Sequence, residues 1–229
     1  VRVEDPSRLE EREAILILPG FGYSNAGRKA MGAFFSDGGY DLCVPDYQSR
    51  DDLRGSVRNL QRFLAEVEIQ RYRRVHVFSY IMGSLLNMLL EDYPFENLHS
   101  IVYDRSPLQE RAPRLARQLA PGFVWLVLGQ AIPTLGETPY PPCPRKVPRV
   151  GIVIENRATP LIRWFREEAL ALGEVRWDVE ALGERCDDFI YTWLDHDTMY
   201  RRFDVIGDEL LHFFDKGSFS KDARRTPLD

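Results

Sequence analysis

Short apolar runs alternate along this chain with longer stretches whose apolar residues recur at spacings of three and four. Continuous apolar runs of four to eight residues fit strands buried on both faces, and the three-four spacing fits helices laid over them. The runs predict strands at "AILIL" (14 to 18), "YDLCVP" (40 to 45), "VHVF" (75 to 78), "HSIVY" (99 to 103), "RVGIVI" (149 to 154) and "DFIYTWL" (188 to 194). Between them "GRKAMGAFFSDGG", "DLRGSVRNLQRFLAEVEIQ", "IMGSLLNMLLEDY", "PLIRWFREEALAL" and "FDVIGDELLHFF" read as helices. This alternation predicts an α/β fold with a doubly wound, mostly parallel sheet in a single domain over residues 1–215.

Residues 107–148 break the alternation with a basic piece, "QERAPRLARQLA", an apolar piece, "PGFVWLVLGQAIPTL", and a proline-rich return. An insertion on the ligand side of such a sheet reads as a cap or lid. The apolar piece contains Pro133 and is shorter than the roughly 20 residues that span a bilayer, so a buried cap helix is favoured over a membrane-contacting lid. Peripheral lipid contact through the cap stays open, and no integral membrane segment is expected. The tail, residues 216–229, is polar and expected to fray.

Composition narrows the function classes. The 229 residues are 44% hydrophobic and 28% charged, with a net charge of -5, which leaves no basic surplus for binding nucleic acid. The three cysteines, Cys43, Cys143 and Cys186, are far apart and form no C-x-x-C pair, which suits a reducing cytoplasm. The N-terminal stretch is charged where a secretion signal would need an apolar run. The histidines His76, His99, His196 and His212 show no H-x-H or H-E-x-x-H spacing, so no metal is expected from spacing, and His76 reads as a structural residue of its strand. Neither a P-loop nor a dinucleotide G-x-G-x-x-G is present, and no cofactor is expected.

Three motifs follow three of the strands in order: "LILPGFGYS", "FSYIMGS" at a strand-to-helix turn, and "LDHDTMY" after the last strand. Together they resemble the α/β-hydrolase superfamily, especially its compact lipase-like and esterase-like members, over roughly residues 12 to 215. The resemblance implies a nucleophile elbow with Ser79 and Gly83 as its small flanking residues, an oxyanion hole from the backbone N–H groups of Phe21 and Met82, and a pocket at Gly20 and Tyr80. It puts Ile81 where the family carries its serine, and His196 where it carries its general base. Thr159 falls where the acid is often found, leaving Glu174 or Asp178 as possible acids. Ser79 and Ser84 read as small residues of a crowded turn.

Isoleucine has no lone pair and cannot attack a carbonyl. The resulting expectation is a degenerate α/β-hydrolase, non-hydrolytic, that binds a small apolar or acyl ligand or a protein partner. Two alternatives stay open: a carboxyl-ester or lipid hydrolase, and a histidine-based enzyme of lyase, isomerase or cofactor-free oxygenase type. An inherited elbow would also hold Ile81 in a sparsely populated backbone conformation.

Overall fold

The computed structural model describes residues 6–20, 25–35, 39–49, 52–93, 95–119, 147–179 and 185–228. Six strands are described: β1 (Glu13–Leu18), β2 (Tyr40–Cys43), β3 (Arg74–Ser79), β4 (Leu98–Arg105), β5 (Arg149–Glu155) and β6 (Asp188–Thr192). They form one sheet in the order β2-β1-β3-β4-β5-β6, and every pairing is parallel. The helices are α1 (Asn25–Phe34), α2 (Leu53–Glu66), α3 (Gly83–Asp92), α4 (Ala112–Leu119), α5 (Pro160–Trp164), α6 (Arg166–Ala171), α7 (His196–Met199) and α8 (Gly207–Lys216).

Strand alternation divides the core into two layers. On β1, Ala14, Leu16 and Leu18 join Leu60 and Leu64 of α2 and Leu86 of α3 on one face. Ile15 and Ile17 join Met31 of α1 and Leu210 and Phe213 of α8 on the other. Because successive side chains of a strand point to opposite faces, a run such as "AILIL" needs helices on both sides, which makes the sheet doubly wound.

Local chemistry sets the ends of the helices. Asp52 caps α2 by accepting from the Gly55 N–H, and Leu53, Val57, Leu60 and Leu64 give the helix its buried face. Gly217 closes α8 at φ 80°, a left-handed position suited to glycine. The stretch 160–172, expected as one helix, is two, because Phe165 leaves helical geometry at φ -108°, ψ 36°. The expected helix at 203–214 begins with a 3₁₀ turn, Phe203–Val205, before α8.

The tail corrects an expectation. Instead of fraying, residues 217–228 dock on the β6 edge of the sheet: Phe219 is buried against Phe213, the Tyr191 N–H donates to the Arg224 carbonyl at 2.9 Å, and Arg225 pairs with Asp188 at 2.5 Å. A parallel sheet exposes unpaired backbone groups at its edge, and the tail covers them here. In the described part of the expected cap, Leu108 and, from α4, Leu115 pack on Ala158, Ile162 and Ala169. The rest of the expected 107–148 cap, residues 120–146, lies outside the described residues. Among the described residues no helix is long and apolar enough to cross a membrane.

Candidate functional site

The C-terminal ends of β1, β3, β4 and β5 bring the candidate residues together, as parallel sheets commonly do. At the end of β3, the Tyr80 N–H still donates to Leu18 of β1 at 3.1 Å, and α3 starts three residues later at Gly83. The chain reverses through Tyr80, Ile81 and Met82, with the Met82 N–H folded back onto the Tyr80 carbonyl. Such an i to i+2 bond makes a three-residue turn centred on Ile81.

Among the described non-glycine residues only Glu68 has positive φ, so Ile81 lies outside the left-handed region. One expectation changes at this turn. Met82, expected as an oxyanion-hole donor, has its N–H directed at Tyr80 within the turn. Phe21, the other expected donor, lies outside the described residues. Ser79 is fully buried and its hydroxyl donates to the Tyr80 carbonyl at 3.2 Å.

Gly20 begins the loop after β1. Its N–H donates to the Tyr200 hydroxyl at 2.7 Å, and the preceding Pro19 carbonyl accepts from the Tyr47 hydroxyl at 2.8 Å. A Cβ on Gly20 would lie 2.9 Å from the Tyr200 hydroxyl and 3.1 Å from His196 Nε2. Glycine is what lets the loop approach these two side chains. Tyr80 stacks on Tyr200 with ring centroids 4.4 Å apart, closing the apolar side of the site. Gly20→Ala is therefore expected to destabilise the fold by about 1–2 kcal/mol, and by less in a Tyr200→Phe background, where the nearest clashing atom is gone. Urea unfolding of the four proteins of this cycle measures the coupling.

His196 opens α7, whose first turn is fixed by a capping box: the Asp195 side chain accepts from the Thr198 N–H, and the Thr198 hydroxyl accepts from the Asp195 N–H. The His196 side chain is 8% exposed, with Nδ1 3.2 Å from Glu155 Oε1 and 3.8 Å from Asp104 Oδ2. Both carboxylates are fully buried, Glu155 as the last residue of β5 and Asp104 as the penultimate residue of β4.

The acid partners are thus Glu155 and Asp104 rather than Glu174 or Asp178. Glu174 is exposed on the loop after α6, where its backbone carbonyl accepts from Arg111, and Asp178 pairs with Arg176 at 3.1 Å. Thr159 is buried and donates to Gln109 Oε1 at 2.9 Å. The missed signal was a carboxylate at the C-terminal end of an apolar strand, in "SIVYDR" and "GIVIEN".

Burial works against a charged imidazole, but the carboxylates of Glu155 and Asp104 outweigh it and lift His196 to about 10. Burial, reinforced by the charge of Asp104, pushes Glu155 well above the usual carboxylate range. Both raised values mean that the folded state holds protons the unfolded chain has released, so stability falls as pH rises. For His196 the contribution is complete below 6.5 and disappears as pH climbs to about 10. Urea titrations at pH 6.5 and pH 9.5 are expected to differ by roughly 2–4 kcal/mol.

His76 is structural, as expected. It is buried between Ser100 Oγ at 2.8 Å and Glu13 Oε2 at 3.2 Å, and desolvation lowers it to about 4.

No protein-family model and no curated protein sequence matches the chain. Solved structures do. A Bacillus licheniformis lipase, BlEst2 in its mature form, is 17% identical and superposes with a TM-score of 0.60 over 92% of this chain and 96% of that one. A structure from work on LipS and LipT, two metagenome-derived lipolytic enzymes, is 14% identical with a TM-score of 0.60, over 91% and 95% of the two chains. An alpha/beta hydrolase fold protein from Chitinophaga pinensis is 13% identical with a TM-score of 0.56, over 90% of each chain.

Proposed function

Starting from a chain that has the α/β-hydrolase fold, we propose a non-hydrolytic protein that uses the end of its sheet to bind a small apolar or acyl ligand. The observation that carries this reading is Ile81, a hydrocarbon side chain at the turn between β3 and α3 where the superfamily's chemistry calls for an attacking oxygen. Three further features support it. The Met82 N–H is turned onto Tyr80, the Gly20 N–H is occupied by the Tyr200 hydroxyl, and His196 already carries the proton a general base would have to accept. The partly exposed Ile81 offers apolar contact in place of chemistry, backed by the buried Tyr80 and Met82.

The test is turnover of short- and medium-chain nitrophenyl esters by the protein and by its His196→Ala and Ser79→Ala variants. The expected rate is the same for all three. Robust turnover abolished by either substitution would restore an ester or lipid hydrolase, the activity named for the lipolytic structures of similar fold. A medium-chain fatty acid is expected to raise the thermal midpoint, since a ligand at 100 times its Kd adds about 2.7 kcal/mol.

The Glu155–His196 pair favours one second reading, a histidine-based non-hydrolytic enzyme. Its discriminating feature is pH: with His196 raised to about 10, such activity would grow only toward alkaline pH.

A further inference from the structure

We propose that Asp104, Glu155 and His196 form a binding site for one borderline divalent cation of the zinc type. The three side chains come from the ends of β4 and β5 and the start of α7, and each offers a ligand atom within 4.8 Å of the others. Around a tetrahedral ion with bonds of about 2.0–2.2 Å, neighbouring donor atoms lie about 3.3–3.6 Å apart. The distances of 3.2 Å from Nδ1 to Glu155 and 3.8 Å to Asp104 are close to that spacing already.

A second observation points into the same space. Both oxygens of Asp104 and Oε2 of Glu155 are buried without a hydrogen-bond partner. Buried carboxylate oxygens are normally satisfied, and orphaned ones have room for a proton, a water or an ion. A divalent cation would take one oxygen of each carboxylate as a ligand. It also balances charge, because two carboxylates, a neutral imidazole and a doubly charged ion sum to zero.

The ligand set selects the ion. Imidazole with two carboxylates suits zinc and its first-row neighbours better than magnesium or calcium, which favour oxygen alone. On binding, Nδ1 and the raised Glu155 carboxyl release their protons to solvent, and both take the ion as ligands. Nε2 then keeps the ring's remaining proton on the side facing Gly20 and Tyr200. Three protein ligands leave a fourth position open, the arrangement found where zinc also meets water or an acyl carboxylate. The site needs neither Ile81 nor a serine, and its test reads zinc binding rather than ester turnover.

The experiment titrates chelator-treated full-length protein with zinc sulfate by calorimetry and records the X-ray absorption spectrum of the zinc-loaded protein. One ion per chain is expected, with one nitrogen and two or more oxygen donors and no sulfur. Asp104→Asn and Glu155→Gln are each expected to weaken binding at least tenfold. Proton release is expected to fall in His196→Gln. Absence of stoichiometric zinc binding would overturn the proposal, as would unchanged affinity in folded Asp104→Asn protein. Should those variants fail to fold, the wild-type spectrum decides, because a sulfur donor from a cysteine or a shell without nitrogen would assign the zinc elsewhere.

Discussion

Replacing His196 by leucine is expected to cost about 3–5 kcal/mol at pH 8, the usual loss when one partner of a buried ionic group is removed. Asp104 and Glu155 would remain fully buried and would lose the only cation near them among the described contacts. The loss should be larger at pH 5 than at pH 8, because the contribution of His196 is complete below 6.5 and fades as pH climbs toward about 10. The sign follows from linkage: the folded parent keeps the His196 proton that the unfolded chain releases above 6.5, so the parent loses stability as pH rises and the variant, which lacks the imidazole, does not share that loss. Urea unfolding at pH 5 and pH 8 measures it. An equal loss at both pH values would mean that His196 acts through packing alone.

The second large effect is expected at Phe213. Its ring is fully buried between the sheet and the tail, 4.8 Å from the ring of Phe219, and it fills the space left by Gly151, where a Cβ would come within 2.8 Å of it. Phe213→Ala should therefore destabilise by about 3–5 kcal/mol through lost burial and the cavity left behind. Because Phe213 is also the floor on which the tail rests, limited proteolysis should cut residues 218–228 of the variant far faster than those of the parent. Leu211→Ala, on the half-buried side of α8, is the control and should cost less than about 2 kcal/mol. Similar losses at both positions would contradict the docked tail.

The fold was legible because a parallel sheet covered on both faces must be written in apolar runs. Each of the six expected strands coincides with an observed one to within two residues at either end, and the errors came where local chemistry ended an element, as at Phe165. The tail was misread for a physical reason. Its polar composition hides one anchor, Phe219, and one ion pair, Arg225 with Asp188, and neither can be seen without knowing that β6 lies at an open edge.

The site was legible only in part. His196 follows the last strand and stands out, and Ile81 stands out by its context. Asp104 and Glu155 did not, because they end apolar runs and looked like the polar boundary of a strand. They meet His196 only once β4 and β5 lie side by side with Asp104 opposite Val153 in register. Spacing along the chain carries no trace of a cluster assembled from three separate elements. The Tyr200–Gly20 contact was missed for the same reason, its partners standing 180 positions apart.

The most direct measurement is the intact mass of the protein after exposure to a fluorophosphonate, a reagent that phosphonylates an activated serine through its oxygen and releases fluoride. With Ile81 at the turn, an unchanged mass is expected even at long exposure, while an active serine hydrolase run alongside gains the full adduct. A stoichiometric adduct on Ser79 or Ser84 that vanishes in His196→Ala would contradict the non-hydrolytic reading and place a working nucleophile beside that histidine.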